Sequence, residues 1–171
     1  MRNTLLAVLA AGADKVSVNS PALQRPALID ELARRFGAQC VVVGMDSLPI
    51  DGGYRVQMHT GDATRARDGG RGTLEWVHEV QARGAGEIVL NCMAADGVRD
   101  GYDIAQLRTV RDCCDVPLVA SGGAGRAEHF AAVFIAAGVD AALAASVFHS
   151  GELDIATLKS WLRTQHIEVR P

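Results

Sequence analysis

The 171-residue chain is 49% hydrophobic and 22% charged, with a formal net charge of −3. That is the composition of a soluble globular domain long enough to bury a sizeable core. No basic excess marks a nucleic-acid or membrane surface. The apolar start, MRNTLLAVLAAG, is too short to span a bilayer, lacks a convincing secretion signal, and reads as a helix ending at Gly12.

In chain order, five short apolar runs then read as buried strands: Lys15–Asn19, Gln39–Asp46, Glu87–Asn91, Pro117–Ser121 and Ala141–Ser146. None shows the clear polar alternation of a half-exposed strand, which favours parallel pairing beneath helices. Helical spacing of apolar residues fills the gaps over Pro21–Phe36, Thr73–Arg83, Ile104–Cys113, Ala127–Ala137 and Ile155–Thr164. Gly37, Gly84 and Gly138 stand where helix stops belong. The long segment Leu48–Arg71 reads as an elaborated loop with a hairpin turn at Asp51-Gly52-Gly53. The four cysteines, Cys40, Cys92, Cys113 and Cys114, have no CxxC spacing and read as reduced thiols of a cytoplasmic protein. No residue pattern calls for a metal or redox cofactor.

Repeated strand–helix units form either an open doubly wound sheet or a (β/α)8 barrel, and both bind ligands at the strand C-termini. Polar groups stand there at every strand: Asn19-Ser20, Asp46, Asn91 through Asp96-Gly97, Ser121-Gly122-Gly123, and Ala145-Ser146. They mark either a ligand site or simply the passage from strand to loop. In VPLVASGGAG the glycines let backbone N–H groups approach an anion, and Ala145-Ser146 ends the next strand, where barrels often hold phosphate. The alternative is a pair of tight turns built from small residues. Asp46 ends the apolar run VVVGMD; it is either a general acid or base, or a cap for the loop that follows. Strand parity puts Lys15, Ser17 and Asn19 on one face, and Glu87, Val89 and Asn91 likewise. Lys15 and Glu87 then form either a salt bridge closing the lower mouth of a barrel, or two side chains snorkelling into solvent.

Together GADKVSVNS, VVVGMD, GAGEIVLN with its DG and GYD, PLVASGGAG and DAALAASVFH resemble the cyclase subunit of imidazole glycerol phosphate synthase, of histidine biosynthesis. The resemblance runs from Gly12 essentially to the end of the chain. It implies an α/β (β/α)8-barrel fold and a bisphosphorylated formimino-aminoimidazole ribulotide as substrate. Ammonia cleaves it to imidazole glycerol phosphate and an aminoimidazole carboxamide ribotide. The ammonia arrives through the barrel from a docked glutaminase subunit. The same resemblance makes Asp46 the catalytic acid. It gives one phosphate site to Asp96, Gly97, Ser121, Gly122, Gly123, Ala145 and Ser146, and part of the other to Asn19 and Ser20. Lys15 and Glu87 become members of the ammonia gate, and Asp14 an interface residue for the glutaminase.

Two departures stand out. Ala94-Ala95 replaces usually polar loop residues, and a complete barrel takes roughly 250 residues. Aligned to the family, the chain starts before strand four. The expectation is therefore one partial-barrel domain over residues 1–171, with about five βα units. The first three units, and the family's second catalytic aspartate, lie outside these residues. Unpaired edges at the first and last strands predict self-association, or pairing with a complementing chain. A non-catalytic partial barrel that binds sugar phosphate, or only self-associates, is the competing reading.

Overall fold

The structure, a computed structural model, describes residues 7–62 and 64–170. The first half of the apolar start lies outside them, and residues 7–10 form a helical turn. The elements are β1 (Val16–Val18), α1 (Ser20–Gln24), α2 (Ala27–Phe36), β2 (Val41–Ile50), β3 (Gly53–Met58), β4 (Arg67–Gly72), α3 (Thr73–Ala82), β5 (Glu87–Cys92), α4 (Ile104–Arg111), β6 (Leu118–Ser121), α5 (Ala127–Ala132), β7 (Ala141–Leu143), α6 (Ser146–His149) and α7 (Ile155–Thr164).

All five expected strands form, as β1, β2, β5, β6 and β7, and pair in parallel in that order. Each new parallel strand adds beside the last, without the order reversal that defines a doubly wound sheet. This is an α/β fold with a seven-stranded, parallel-rich sheet, consistent with the TIM-barrel family. Among the described residues β1 pairs with β2 and β7 with β6, so no pairing closes the sheet on itself.

Burial, more than polarity, alternates along these strands. Ile88, Leu90 and Cys92 are buried under the helices with Val16, Val18, Val41, Val43, Met45, Leu118 and Ala120. The other face carries Glu87, Val89, Asn91, Val119 and Ser121, all half-buried. The expectation allowed helices on one or both faces; helices cover one, and polarity fails to alternate because aliphatic and small residues such as Val89 and Val119 continue on the half-buried face.

Three segments differ from the sequence reading. Most of Leu48–Arg71 is sheet rather than loop. β2 continues past Asp46 to Ile50 and turns at Asp51 and Gly52, whose φ values of 49° and 77° suit a type I′ turn. The chain returns as β3, and β4 adds antiparallel to β3. β4 escaped notice because Arg67–Gly72 (RDGGRG) has no β-branched or aromatic residue. The helix expected over Pro21–Phe36 breaks in two. Arg25 stands before Pro26, where α conformation is disfavoured, and adopts φ −142° and ψ 82°. The last strand stops at Leu143, and Ser146 opens the short helix α6 instead.

Along one edge β2 changes partner. Its first half pairs with β1, through Val16–Val41 to Val18–Val43. Its second half pairs with β3, through Asp46–Gln57 to Ile50–Gly53. Asp46 sits at that junction, close to residues from β1, β3 and β5.

Candidate functional site

Asp46 is the hub of the open face. Its Oδ2 accepts from Asn19 Nδ2 at 2.7 Å and from Thr60 Oγ1 at 2.6 Å, and its Oδ1 accepts from Asn91 Nδ2 at 2.9 Å. Each donor comes from a different place: the end of β1, the segment after β3, and β5. A carboxylate has about four lone-pair directions. Two are filled on Oδ2 and one on Oδ1, leaving one on Oδ1 for a proton or a substrate donor. Gly44 lies below; a Cβ there would touch Asn19 Cβ and Ser17 Oγ at 3.6 Å, so the β1 side chains lean over β2.

A cavity of about 280 Å³ adjoins this cluster, lined by Asn91, Asp96, Gly97, Arg99, Ser121 to Ala124 and Leu143 to Ser146. All seven residues expected at the first phosphate site (Asp96, Gly97, Ser121, Gly122, Gly123, Ala145 and Ser146) meet around it. Asn91 lines it too, which joins the cavity to Asp46. Asn19 and Ser20 lie outside this lining. Asn19 holds Asp46, and Ser20 Oγ accepts from the His59 backbone N–H at 2.8 Å.

The glycines have a packing role besides any ligand. Gly122 and Gly123 have φ of 89° and 112°, and a Cβ on Gly123 would lie 2.0 Å from the Gly101 carbonyl oxygen. On Gly125 it would lie 2.0 Å from the Arg99 carbonyl oxygen. The glycine loop thus lies flush against the loop after β5, and Gly101 N donates to Gly123 O at 2.8 Å. Tyr102 Oη donates to Leu143 O at 3.0 Å, and Gly125 N donates to His129 Nδ1 at 3.0 Å. The loop containing Ala94-Ala95 is held by its own backbone: the N–H groups of Ala95 and Asp96 both donate to Cys92 O.

At the other end of the strands, Lys15 Nζ lies 2.5 Å from Glu87 Oε2. The two side chains pair rather than snorkel apart. They flank Val42 on the same face as the Asp46 cluster, because Val42 is in register with both Ser17 and Glu87. From Glu87 to Asn91 that face runs about 13 Å. Asp14 is exposed at the same end.

Beneath Asp46, on the helix side, Ser47, Thr73 and Gln106 are fully buried. Ser47 Oγ and Thr73 Oγ1 are 2.7 Å apart, and Gln106 Nε2 donates to Ser47 Oγ. The Ser47 carbonyl accepts from Met93 N at 2.9 Å, tying β2 to the loop that lines the cavity. The sequence reading left out Thr60, Arg99, Tyr102 and this buried trio, and placed Asn91 at a strand end and on one face with Glu87 without giving it a role in the site. The parity that paired Glu87 with Lys15 also points to Asn91. Thr60 and Arg99 reach the site through loops, for which periodicity carries no signal.

A parallel βα repeat with a polar cluster and an adjoining cavity at its strand C-termini defines the class: an α/β protein consistent with the TIM barrels. Residues 2–154 match the family model described as "Histidine biosynthesis protein", and the chain belongs to that family. It is similar to the imidazole glycerol phosphate synthase subunit HisF of Maricaulis maris (strain MCS10), 61% identical over 163 residues, covering 95% of this chain and 64% of that protein. The subunit of the same name from Xanthomonas oryzae pv. oryzae (strain MAFF 311018) is 64% identical over 168 residues, covering 98% of this chain and 65% of that protein. The chain therefore spans just under two thirds of the length of these curated relatives.

Proposed function

We propose that this chain provides the Asp46 half of an imidazole glycerol phosphate synthase cyclase site in histidine biosynthesis. The observation that carries the reading is the join at Asn91, which both holds the Asp46 carboxylate and lines the cavity. A substrate phosphate seated there brings the rest of the molecule within reach of the acid. In this reading Asp46 is the general acid. Asp96, Gly97, Ser121, Gly122, Gly123, Ala145 and Ser146 hold one phosphate, and Asn19 and Ser20 help to hold the other. Ammonia enters past the Lys15–Glu87 pair and rises along the open face. A glutaminase subunit docks at the Asp14 end. In this reading the protein works in the cytoplasm, where its thiols stay reduced. The five parallel strands act as consecutive staves of a partial barrel forming one domain.

The test is ammonia-dependent turnover of the bisphosphorylated ribulotide by the chain, alone and with a polypeptide supplying complementary barrel strands. Turnover should fall at least a hundredfold in Asp46→Asn, the usual scale of general acid catalysis. Turnover untouched by that substitution overturns the assignment of Asp46. Failure of the bisphosphate to raise the melting temperature overturns the cavity assignment.

A further inference from the structure

Arg99 is the one cation among the described residues that line the 280 Å³ cavity. Its surroundings explain why it stands there and why it is restrained. Its backbone has φ 67°, unusual for a residue other than glycine, and its carbonyl is clamped against Gly125. Its guanidinium Nη2 donates to Glu152 Oε2, and Glu152 is steadied in turn by Ser150 Oγ, which donates to Oε1 at 2.9 Å. The two side chains are 36% and 51% exposed, so their ion pair is of the kind that contributes little and exchanges readily. Asp96, also in the lining, places a negative charge where a phosphate would sit, and Arg99 is the group able to offset it.

We propose that Arg99 is a phosphate-binding residue of this cavity, parked on Glu152 until the anion arrives. The proposal rests on the phosphate reading of the cavity. A dianionic phosphate offers the guanidinium fork a paired, charge-assisted contact that outcompetes one exposed carboxylate. Glu152 then acts as a latch: it holds Arg99 beside the cavity and competes with the ligand for it.

The latch gives the two partners opposite signs. Arg99→Met should weaken binding of inorganic phosphate and of glycerol phosphate about tenfold, the loss of one charged contact. Arg99→Lys should recover part of that loss. Glu152→Gln should strengthen binding severalfold by releasing Arg99. If the ion pair merely braces the two loops, Arg99→Met and Glu152→Gln weaken binding alike, and the proposal is overturned. Affinities are read by amide chemical-shift titration at fixed ionic strength, following Gly122 and Gly123. Wild-type binding that Arg99→Met leaves unchanged overturns the proposal but not the phosphate site. Absence of wild-type binding overturns both.

Discussion

At the scale of single residues, backbone space decides more than charge. Gly123 combines a positive φ with the close Gly101 carbonyl, so Gly123→Ala should lose about 1–3 kcal/mol of stability from backbone strain alone. Gly61→Ala, where a Cβ meets nothing within 4 Å, should stay within about 0.5 kcal/mol of wild type. Chemical denaturation of the two variants measures the contrast. Cysteine reactivity follows burial in the same way. Cys92 is buried at the end of β5, and desolvation, with a smaller push from Asp103, raises its thiol to about 12. The thiolate is the nucleophile, so Cys92 stays protonated and unreactive at neutral pH. Brief treatment of the native protein with a maleimide should label the half-buried Cys40 before Cys92, as read by mass spectrometry.

At the scale of elements, the buried trio ties β2 to α3 and α4. Ser47→Ala removes the shared hydroxyl and strands both Thr73 and Gln106, and should cost about 1–3 kcal/mol. Replacing all three together by Ala, Val and Leu should recover most of that loss, because no polar group is then left buried alone. Equal destabilisation of the single and triple variants would exclude the network. The last helix has its own anchor. Asp154 accepts from the Thr157 backbone N–H at 2.8 Å and from Thr157 Oγ1 at 2.9 Å, and these bonds lower its carboxyl below the ordinary value of 3.8. The native state therefore binds this proton less readily than the unfolded chain. The stabilisation is complete above the unfolded value and disappears as pH falls through the lower native one. Asp154→Asn should thus be less stable than wild type at pH 7, and the gap should close toward pH 2. Thermal melts across that range provide the check.

At the scale of the whole molecule, the open sheet sets the behaviour. β1 and β7 each keep one backbone edge without a strand partner among the described residues. Among the described residues, the face carrying Asn19, Asp46, Asn91 and Ser121 is only half-buried. Leu143, on the β7 edge, is 46% exposed. An apolar edge of this kind seeks another strand. Light scattering should show concentration-dependent association of the chain, weakened by Leu143→Lys; a monodisperse monomer at all concentrations would contradict this. The helix-covered face is already packed within the chain. Leu118→Ala, at a fully buried position, should cost about 2–5 kcal/mol whether or not the chain associates.

Much of this was legible in the chain itself. The five parallel strands, most of the helices, the turn at Asp51-Gly52 and the polar strand ends follow from local properties. Apolar runs, helical spacing and glycines with positive φ act within a few residues of themselves. Local pattern also placed Lys15 and Glu87 on like faces, because side chains alternate along any strand. It could not choose between pairing and snorkelling, since that depends on strand register across 72 residues of sequence. The folding of Leu48–Arg71 into sheet, the convergence of Asn19, Thr60 and Asn91 on Asp46, and the restraint of Arg99 by Glu152 were settled only in three dimensions. Each is a contact between segments distant in sequence, formed by loops and edges whose composition carries no period. The sequence by itself determined the parallel α/β class and which polar residues stand at the strand ends. The tertiary structure decided which of those residues share a site, because only packing fixes the register, the loop paths and the hydrogen-bond partners that bring them together.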